Sequence, residues 1–227
     1  MKNPLFSVLA FVLFLSVQSA FGQFSRPLSV GIGAGGTYSL TDLGNSDIHF
    51  AGHANVDYLI SPFISAGIHG EKGKLSAWGY ESDYKNNYFV LNGNAKVRVG
   101  QFLNLPNNYS QYTLGASMLK KILANIYIGA GLGFMKNNIT RHISDGYEDA
   151  ITNNGGELSR DLSSLQLVVP FNIGVDIPMG RTLYGPNWAI NVNYQQTLAP
   201  NDNIDGILNS ANDQYSYLSV GVKLALF

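Results

Sequence analysis

The stretch Asn125–Phe134, Asn-Ile-Tyr-Ile-Gly-Ala-Gly-Leu-Gly-Phe, repeats with a period of two. Ile126, Ile128, Ala130, Leu132 and Phe134 fall on one face; Asn125, Gly129, Gly131 and Gly133 fall on the other. Successive side chains of a β-strand point to opposite sides, so this pattern predicts a strand with one apolar and one small or polar face.

The same alternation recurs on both sides of this stretch. Upstream, Leu28, Val30, Ile32, Ala34 and Tyr38 oppose Ser29, Gly31, Gly33, Gly35 and Thr37. Phe50, Ala54, Val56 and Tyr58 oppose His49, His53, Asn55 and Asp57. Ile64, Ala66 and Ile68 oppose Ser65, Gly67, His69 and Glu71, and Phe89, Leu91, Ala95 and Val97 oppose Asn92, Asn94, Lys96 and Arg98. Downstream, Leu165–Ile177 sets Leu, Val, Phe and Ile against Gln166, Asn172 and Asp176. Trp188–Leu198 sets Ile190, Val192 and Tyr194 against Asn191, Asn193, Gln195 and Thr197. Leu218, Val220, Val222, Leu224 and Leu226 oppose Tyr217, Ser219, Gly221 and Lys223.

Eight segments of about 10–14 residues match the roughly 9–11 that a tilted strand needs to cross a bilayer. Strands of soluble proteins are usually about 5–6 residues long. Only 13% of the chain is charged, about half the usual share. The pattern therefore predicts an all-β fold: an eight-stranded antiparallel up-and-down transmembrane β-barrel. A soluble β-sandwich or lipocalin-like barrel is the alternative. With a net charge of −1, nothing suggests nucleic acid as a partner. No cysteine is present, which excludes a disulfide framework.

The N-terminus reads as an export signal. Lys2 precedes the apolar run Leu5–Val17, and Ser19, Ala20 and Gly22 are the small residues a signal peptidase reads. The expected division is a cleaved signal peptide over 1–22 and a barrel domain over 23–227. Polar stretches at 39–47, 76–87, 136–162 and 199–213 read as long outer loops, leaving both termini on the inner side. Tyr58, Trp78, Tyr80, Tyr88, Trp188, Tyr194 and Tyr215 lie near strand ends, where amphipathic rings suit the headgroup level. The segment 100–124 is too long for an inner turn. Leu114, Met118 and Ile122 recur at four-residue spacing beside Lys120 and Lys121, favouring a short amphipathic helix. Tyr112, Leu114, Ala116 and Met118 also alternate, which leaves an extra strand as the other reading.

The junction Ala20–Gln23, the opening Val30–Gly36, the repeat Ile126–Gly133 and the ending Ser219–Phe227 resemble the small outer-membrane β-barrel family of Gram-negative bacteria. That family includes the OmpA barrel, OmpX and the outer-membrane barrels of Bacteroidota. The resemblance implies a bacterial outer-membrane location and insertion by the barrel-assembly machinery. It also implies contact with outer-membrane lipid and lipopolysaccharide, and an envelope protein as a further partner. A terminal aromatic such as Phe227 resembles the family's assembly signal. Here the apolar residues share the parity of Leu226 instead.

The polar faces collect His49, His53, Asp57, His69, Glu71, Lys96, Arg98, Asp176 and Lys223 as a charged lumen network. An eight-stranded barrel is just wide enough for side chains to fill, and confined opposite charges should pair. The expected pairing joins Asp57 and Glu71 to Lys96 and Arg98, with Asp176 and Lys223 nearer the inner end. The inward glycines of the first and fifth strands would leave room for these side chains, Arg98 and the histidines among them. Outside the membrane, Arg141, Asp145 and Tyr147 are the expected loop contact residues. His142 and Ser144, with Glu148 or Glu157, resemble the His-x-Ser and Glu of lipid A deacylases, a match that arises easily by chance. His49 and His53 share a face, but no carboxylate cluster makes them a metal site.

The function expected is a non-enzymatic barrel without cofactor, metal or catalytic set, structural or interaction-mediating through its extracellular loops. A small porin-like channel is the runner-up, and a lipid A-modifying hydrolase comes third.

Overall fold

The structure, a computed structural model, describes residues 28–41, 45–79, 82–103, 105, 117–144, 157–159, 162–179, 187–200, 204–208 and 213–226. Eight long strands dominate it: β1 Leu28–Leu40, β2 Ile48–Ser61, β3 Ile64–Trp78, β4 Ser82–Arg98, β5 Ile126–Lys136, β6 Leu165–Pro178, β7 Asn187–Ala199 and β8 Asp213–Leu226. Each pairs antiparallel with its neighbour in sequence. Leu28 to Leu40 of β1 then pairs in unbroken register with Leu226 to Gln214 of β8, which closes the ring. Closure matters because an open sheet edge would leave backbone groups unpaired in lipid.

The alternation read from the sequence sets the two surfaces. Ile32, Phe50, Ile68, Leu132 and Leu218 project outward and are each more than half exposed. Asp57, Glu71, Lys96, Arg98, Asp176 and Lys223 project inward and are buried. On β4 the outward apolar run goes from Phe89 to Val97. Nine residues rising about 3.3 Å each, tilted about 40°, cover about 23 Å, close to the roughly 25 Å apolar band of outer-membrane barrels.

At the end holding Leu28 and Leu226, one described connection is a compact turn. Pro62 and Phe63 join β2 to β3, with the Ser61 hydroxyl accepting from the Phe63 and Ile64 backbone N–H groups at 3.3 and 3.0 Å. The longer link from β4 to β5 contains a 3-10 turn, Val99–Phe102, and a helix, α1 Met118–Ala124. Ser117 caps α1, its side chain accepting from the Lys120 backbone N–H. Leu119 and Leu123 are exposed on the helix that also carries Lys120 and Lys121. The helical reading of 100–124 holds for the described part. Tyr112, Leu114 and Ala116 lie outside the described residues.

Two expectations need correction at the opposite end. The polar stretch 76–87 is mostly strand: β3 runs to Trp78 and β4 begins at Ser82. Asp83, Lys85 and Asn87 face out while Tyr84, Asn86 and Tyr88 face in, so alternation persists above the apolar band without its hydrophobic contrast. Short strands extend this wall, with Ile139–Ile143 on β4 and Asn45–Ser46 on β3; Glu157–Leu158 pairs separately with Ile207–Leu208. The second correction concerns aromatics. Tyr88 and Tyr215 point into the barrel and are fully buried, whereas Trp78, Trp188 and Tyr194 stand outside as expected. Tyr80, Phe227 and the expected signal peptide over 1–22 lie outside the described residues.

Candidate functional site

Strand parity delivers five charged side chains to one level of the lumen. Asp57 comes from β2, Lys96 and Arg98 from β4, Asp176 from β6 and Lys223 from β8. Lys96 Nζ donates to both Asp57 oxygens at 2.9 and 3.0 Å. Lys223 Nζ lies between the two carboxylates, 3.3 Å from Asp57 Oδ2 and 3.0 Å from Asp176 Oδ1. Arg98 Nη2 reaches Asp176 Oδ2 at 3.1 Å. The order is therefore Lys96, Asp57, Lys223, Asp176, Arg98, so every neighbour in the chain is of opposite sign. Three cations face two anions, and each charge is removed from solvent, so each depends on its neighbours.

Neutral side chains complete the layer. Asn55 Nδ2 donates to Asp57 Oδ2 at 2.9 Å, and Asn191 Nδ2 donates to Asp176 Oδ1 at 2.8 Å. The Tyr127 ring lies 5.7 Å from Lys96 Nζ and 5.4 Å from Lys223 Nζ, within cation–π range. Its hydroxyl accepts from Asn191 and donates to Asn193, both at 2.9 Å. Room for this ring depends on Gly174, where a Cβ would stand 2.5 Å from the Tyr127 oxygen. Other inward glycines work the same way. A Cβ at Gly33 would meet the His53 ring at 2.5 Å, and one at Gly129 would meet Lys96 Cγ at 3.0 Å. Arg98 uses none of these spaces; it lies against Ser65, 3.4 Å from its hydroxyl.

Glu71 does not join this chain, contrary to the expected pairing with Lys96 or Arg98. It sits opposite Val90 in register, six residues along β4 from Lys96, which is roughly 20 Å of strand. Its partners are Tyr88, whose hydroxyl donates to Oε1 at 2.5 Å, and Gln195, whose Nε2 donates to Oε2 at 3.0 Å. His69 Nε2 stands 3.5 Å from the same Oε2. The His69 ring stacks on His53 at 5.1 Å between centroids, and His53 Nδ1 bonds the Tyr217 hydroxyl at 2.9 Å. His49, further along β2, bonds Ser76 at 2.6 Å instead, so His49 and His53 have separate partners. Between the two polar groups lies a small cavity of about 10 Å³, bordered by His53, His69, Lys96, Tyr127 and Lys223. That is room for about one water molecule.

Above Glu71 the inward face changes character. Leu75, Tyr84, Tyr88, Val90, Met135, Val168 and Tyr215 form a buried apolar cluster, with Ile204 packed into it from the loop before β8. Asn86 Nδ2 donates to the Ile204 carbonyl at 3.0 Å, and the Ile204 N–H donates to Asp213 at 2.7 Å. Gly206 follows with φ of +82°, a left-handed conformation that favours glycine. Arg141, expected as a loop contact, is half-buried and donates to the carbonyls of Gly206 and Ser159. Arg141→Ala should weaken this brace by about 1–3 kcal/mol, on the scale of hydrogen bonds to charged groups. Limited proteolysis should then cut more quickly near 204–208, and an unchanged rate would mean the segment is held by other contacts.

Asp145, Tyr147 and Glu148, and the side chain of Glu157, lie outside the described residues. His142 and Ser144 are both exposed beyond the strand wall. Tyr84 and Tyr127 are absent from the sequence reading, although Tyr127 shares the parity of Asn125 and Gly129, while Gln195 enters it only as a polar-face residue and Tyr88 and Tyr215 only as interfacial rings.

Charges paired inside and apolar side chains outside make this barrel the inverse of a soluble one. A closed barrel of that polarity is an integral membrane structure of the bacterial outer membrane. It has the architecture of the small eight-stranded outer-membrane barrels. No protein-family model matches the sequence, and no curated protein does. Among solved structures, Neisserial surface protein A is similar at 14% identity, covering 88% of this chain and 97% of its own, with a TM-score of 0.49. The attachment invasion locus protein Ail of Yersinia pestis is similar at 12% identity over 88% of this chain and 99% of its own, with a TM-score of 0.43. OprG of Pseudomonas aeruginosa follows at 10% identity, 90% and 99% coverage and a TM-score of 0.41. The strand ring and its polarity, not these distant likenesses, carry the assignment.

Proposed function

We propose that this chain is a non-enzymatic outer-membrane barrel with a closed lumen, structural or interaction-mediating through the surface it presents outside the cell. The observation that carries the reading is the unbroken ion-pair chain from Lys96 to Arg98, which spans strands on opposite sides of the ring. Ions or sugars crossing the barrel would have to separate those pairs, and separating buried charges costs several kcal/mol. The buried cluster above is a second barrier, because its close-packed side chains occupy the lumen at that level. The exposed positions of His142 and Ser144 beyond the strand wall are in keeping with a non-enzymatic role.

Function then resides in the outer loops, with the braced segment around Arg141 and Gly206 and the stretch carrying Asp145 and Tyr147 as contact surface. The partners proposed are outer-membrane lipid and lipopolysaccharide, an envelope protein, and the barrel-assembly machinery during insertion. Proteoliposomes test the closed lumen. In isosmotic arabinose they should swell no faster than protein-free liposomes, and swelling that rises with protein content would overturn the reading.

A further inference from the structure

Charge on the outward faces of the eight strands is confined to one flank. Lys72 and Lys74 on β3, Lys85 on β4 and Lys136 on β5 are exposed and share this flank with Asp83. The outward faces of β1, β2, β6, β7 and β8 carry no charged side chain among the described residues. Lys72 and Lys136 are both in register with Phe89 of the strand between them, so their backbones are about 10 Å apart. Lys74 faces Asn87, two residues from Lys85, which makes these two diagonal neighbours at roughly 7–8 Å. None of the four makes an ion pair among the described residues.

Their depth is as informative as their number. On β5 the apolar run ends at Phe134, and Lys136 is the next outward residue. On β3 it ends at Ile68 and Gly70, and Lys72 follows. On β4 Phe89 and Leu91 close the run below Asn87 and Lys85. All four lysines thus stand at the loop end of the barrel, Lys72 and Lys136 at the rim of the apolar band beside Phe89, and Lys74 and Lys85 beyond it. Four lysines without an ion pair against the single carboxylate of Asp83 leave these outward faces net positive by three (four minus one). That excess calls for a counter-anion, and at this depth the anions available are those of lipid headgroups. A headgroup bearing two phosphates fits the two pairs, while Phe89, Leu91 and Phe134 meet its acyl chains.

We propose that Lys72, Lys74, Lys85 and Lys136 form a docking site for a multiply phosphorylated lipid headgroup of the outer leaflet. The inference rests on the membrane orientation and is independent of whether the lumen is closed. The test uses purified barrel in dodecyl maltoside with bisphosphorylated lipid A, the same lipid stripped of its phosphates, and pyrophosphate. Binding is read by native mass spectrometry.

Lipid A should bind at least tenfold more tightly to the wild type than to the variant Lys72→Gln/Lys74→Gln/Lys85→Gln/Lys136→Gln. The matching four-fold Arg variant should retain binding, and so should Lys120→Gln/Lys121→Gln at the opposite end. All four side chains are exposed, so the heat-modifiable gel shift of the Gln variant should equal that of the wild type. Equal binding by the Gln variant, or equal binding of the dephosphorylated lipid, would overturn the proposal. Competition by pyrophosphate at the concentration of the lipid would overturn the lipid as occupant in favour of free phosphate.

Discussion

Asp176→Asn is expected to lower the unfolding free energy of the barrel by about 3–5 kcal/mol, the usual consequence of removing one partner from a buried charge pair. The substitution keeps size and shape, so packing changes little. What it removes is the anion between Arg98 and Lys223, leaving three buried cations to share Asp57. Urea titration in lipid vesicles, followed by the gel-mobility difference between folded and unfolded barrel, measures the loss. Lys223→Met on the Asp176→Asn background should restore much of it, because the methionine removes the cation left behind while keeping the unbranched stem over the Tyr127 ring. If the double variant is no more stable than Asp176→Asn alone, the alternating chain of charges is not what holds this level together.

Tyr88→Ala should cost about as much by a different mechanism, roughly 3–5 kcal/mol for emptying a large buried aromatic site. Tyr88 packs against Tyr215 with ring centroids 5.2 Å apart, and its hydroxyl donates to Glu71. Tyr88→Phe separates the two contributions. It keeps the packing and removes one hydrogen bond to a buried carboxylate, a loss of about 1.5–3 kcal/mol. Gln195 still holds the other oxygen of Glu71. The same urea titration should therefore rank the wild type above Tyr88→Phe and Tyr88→Phe above Tyr88→Ala. Equal stability of the Phe variant and the wild type would show that Glu71 does not need the phenol.

The contrast between these two sites explains what could be read from the residues alone. Within the apolar band, lipid demands apolar side chains outside and leaves polar ones inside. Parity alone therefore places Asp57, Lys96, Arg98, Asp176 and Lys223 in the lumen. Above the band that demand ends. Tyr84, Asn86 and Tyr88 alternate with Asp83, Lys85 and Asn87, and with both faces mixed the strand resembles a polar loop. Tyr88 and Tyr215, being aromatic and near strand ends, resemble interfacial residues, and only the register shows that they turn inward.

Which charges meet was also beyond parity. Parity fixes a face but not a level, and the six-residue separation between the Glu71 and Lys96 positions on β4 decides that Glu71 takes neutral partners. The lysine flank is invisible as a cluster in the sequence. Lys72 and Lys136 are 64 positions apart in sequence and come together only through the pairing of β3, β4 and β5.

Single-channel recording in planar bilayers tests the closed barrel most directly. Purified wild-type protein, inserted at a density confirmed by its gel-mobility shift, should give a baseline without stable conductance steps. Reproducible unitary steps from that preparation, absent from protein-free controls, would mean that ions pass the Lys96–Asp57–Lys223–Asp176–Arg98 layer and would contradict the closed lumen.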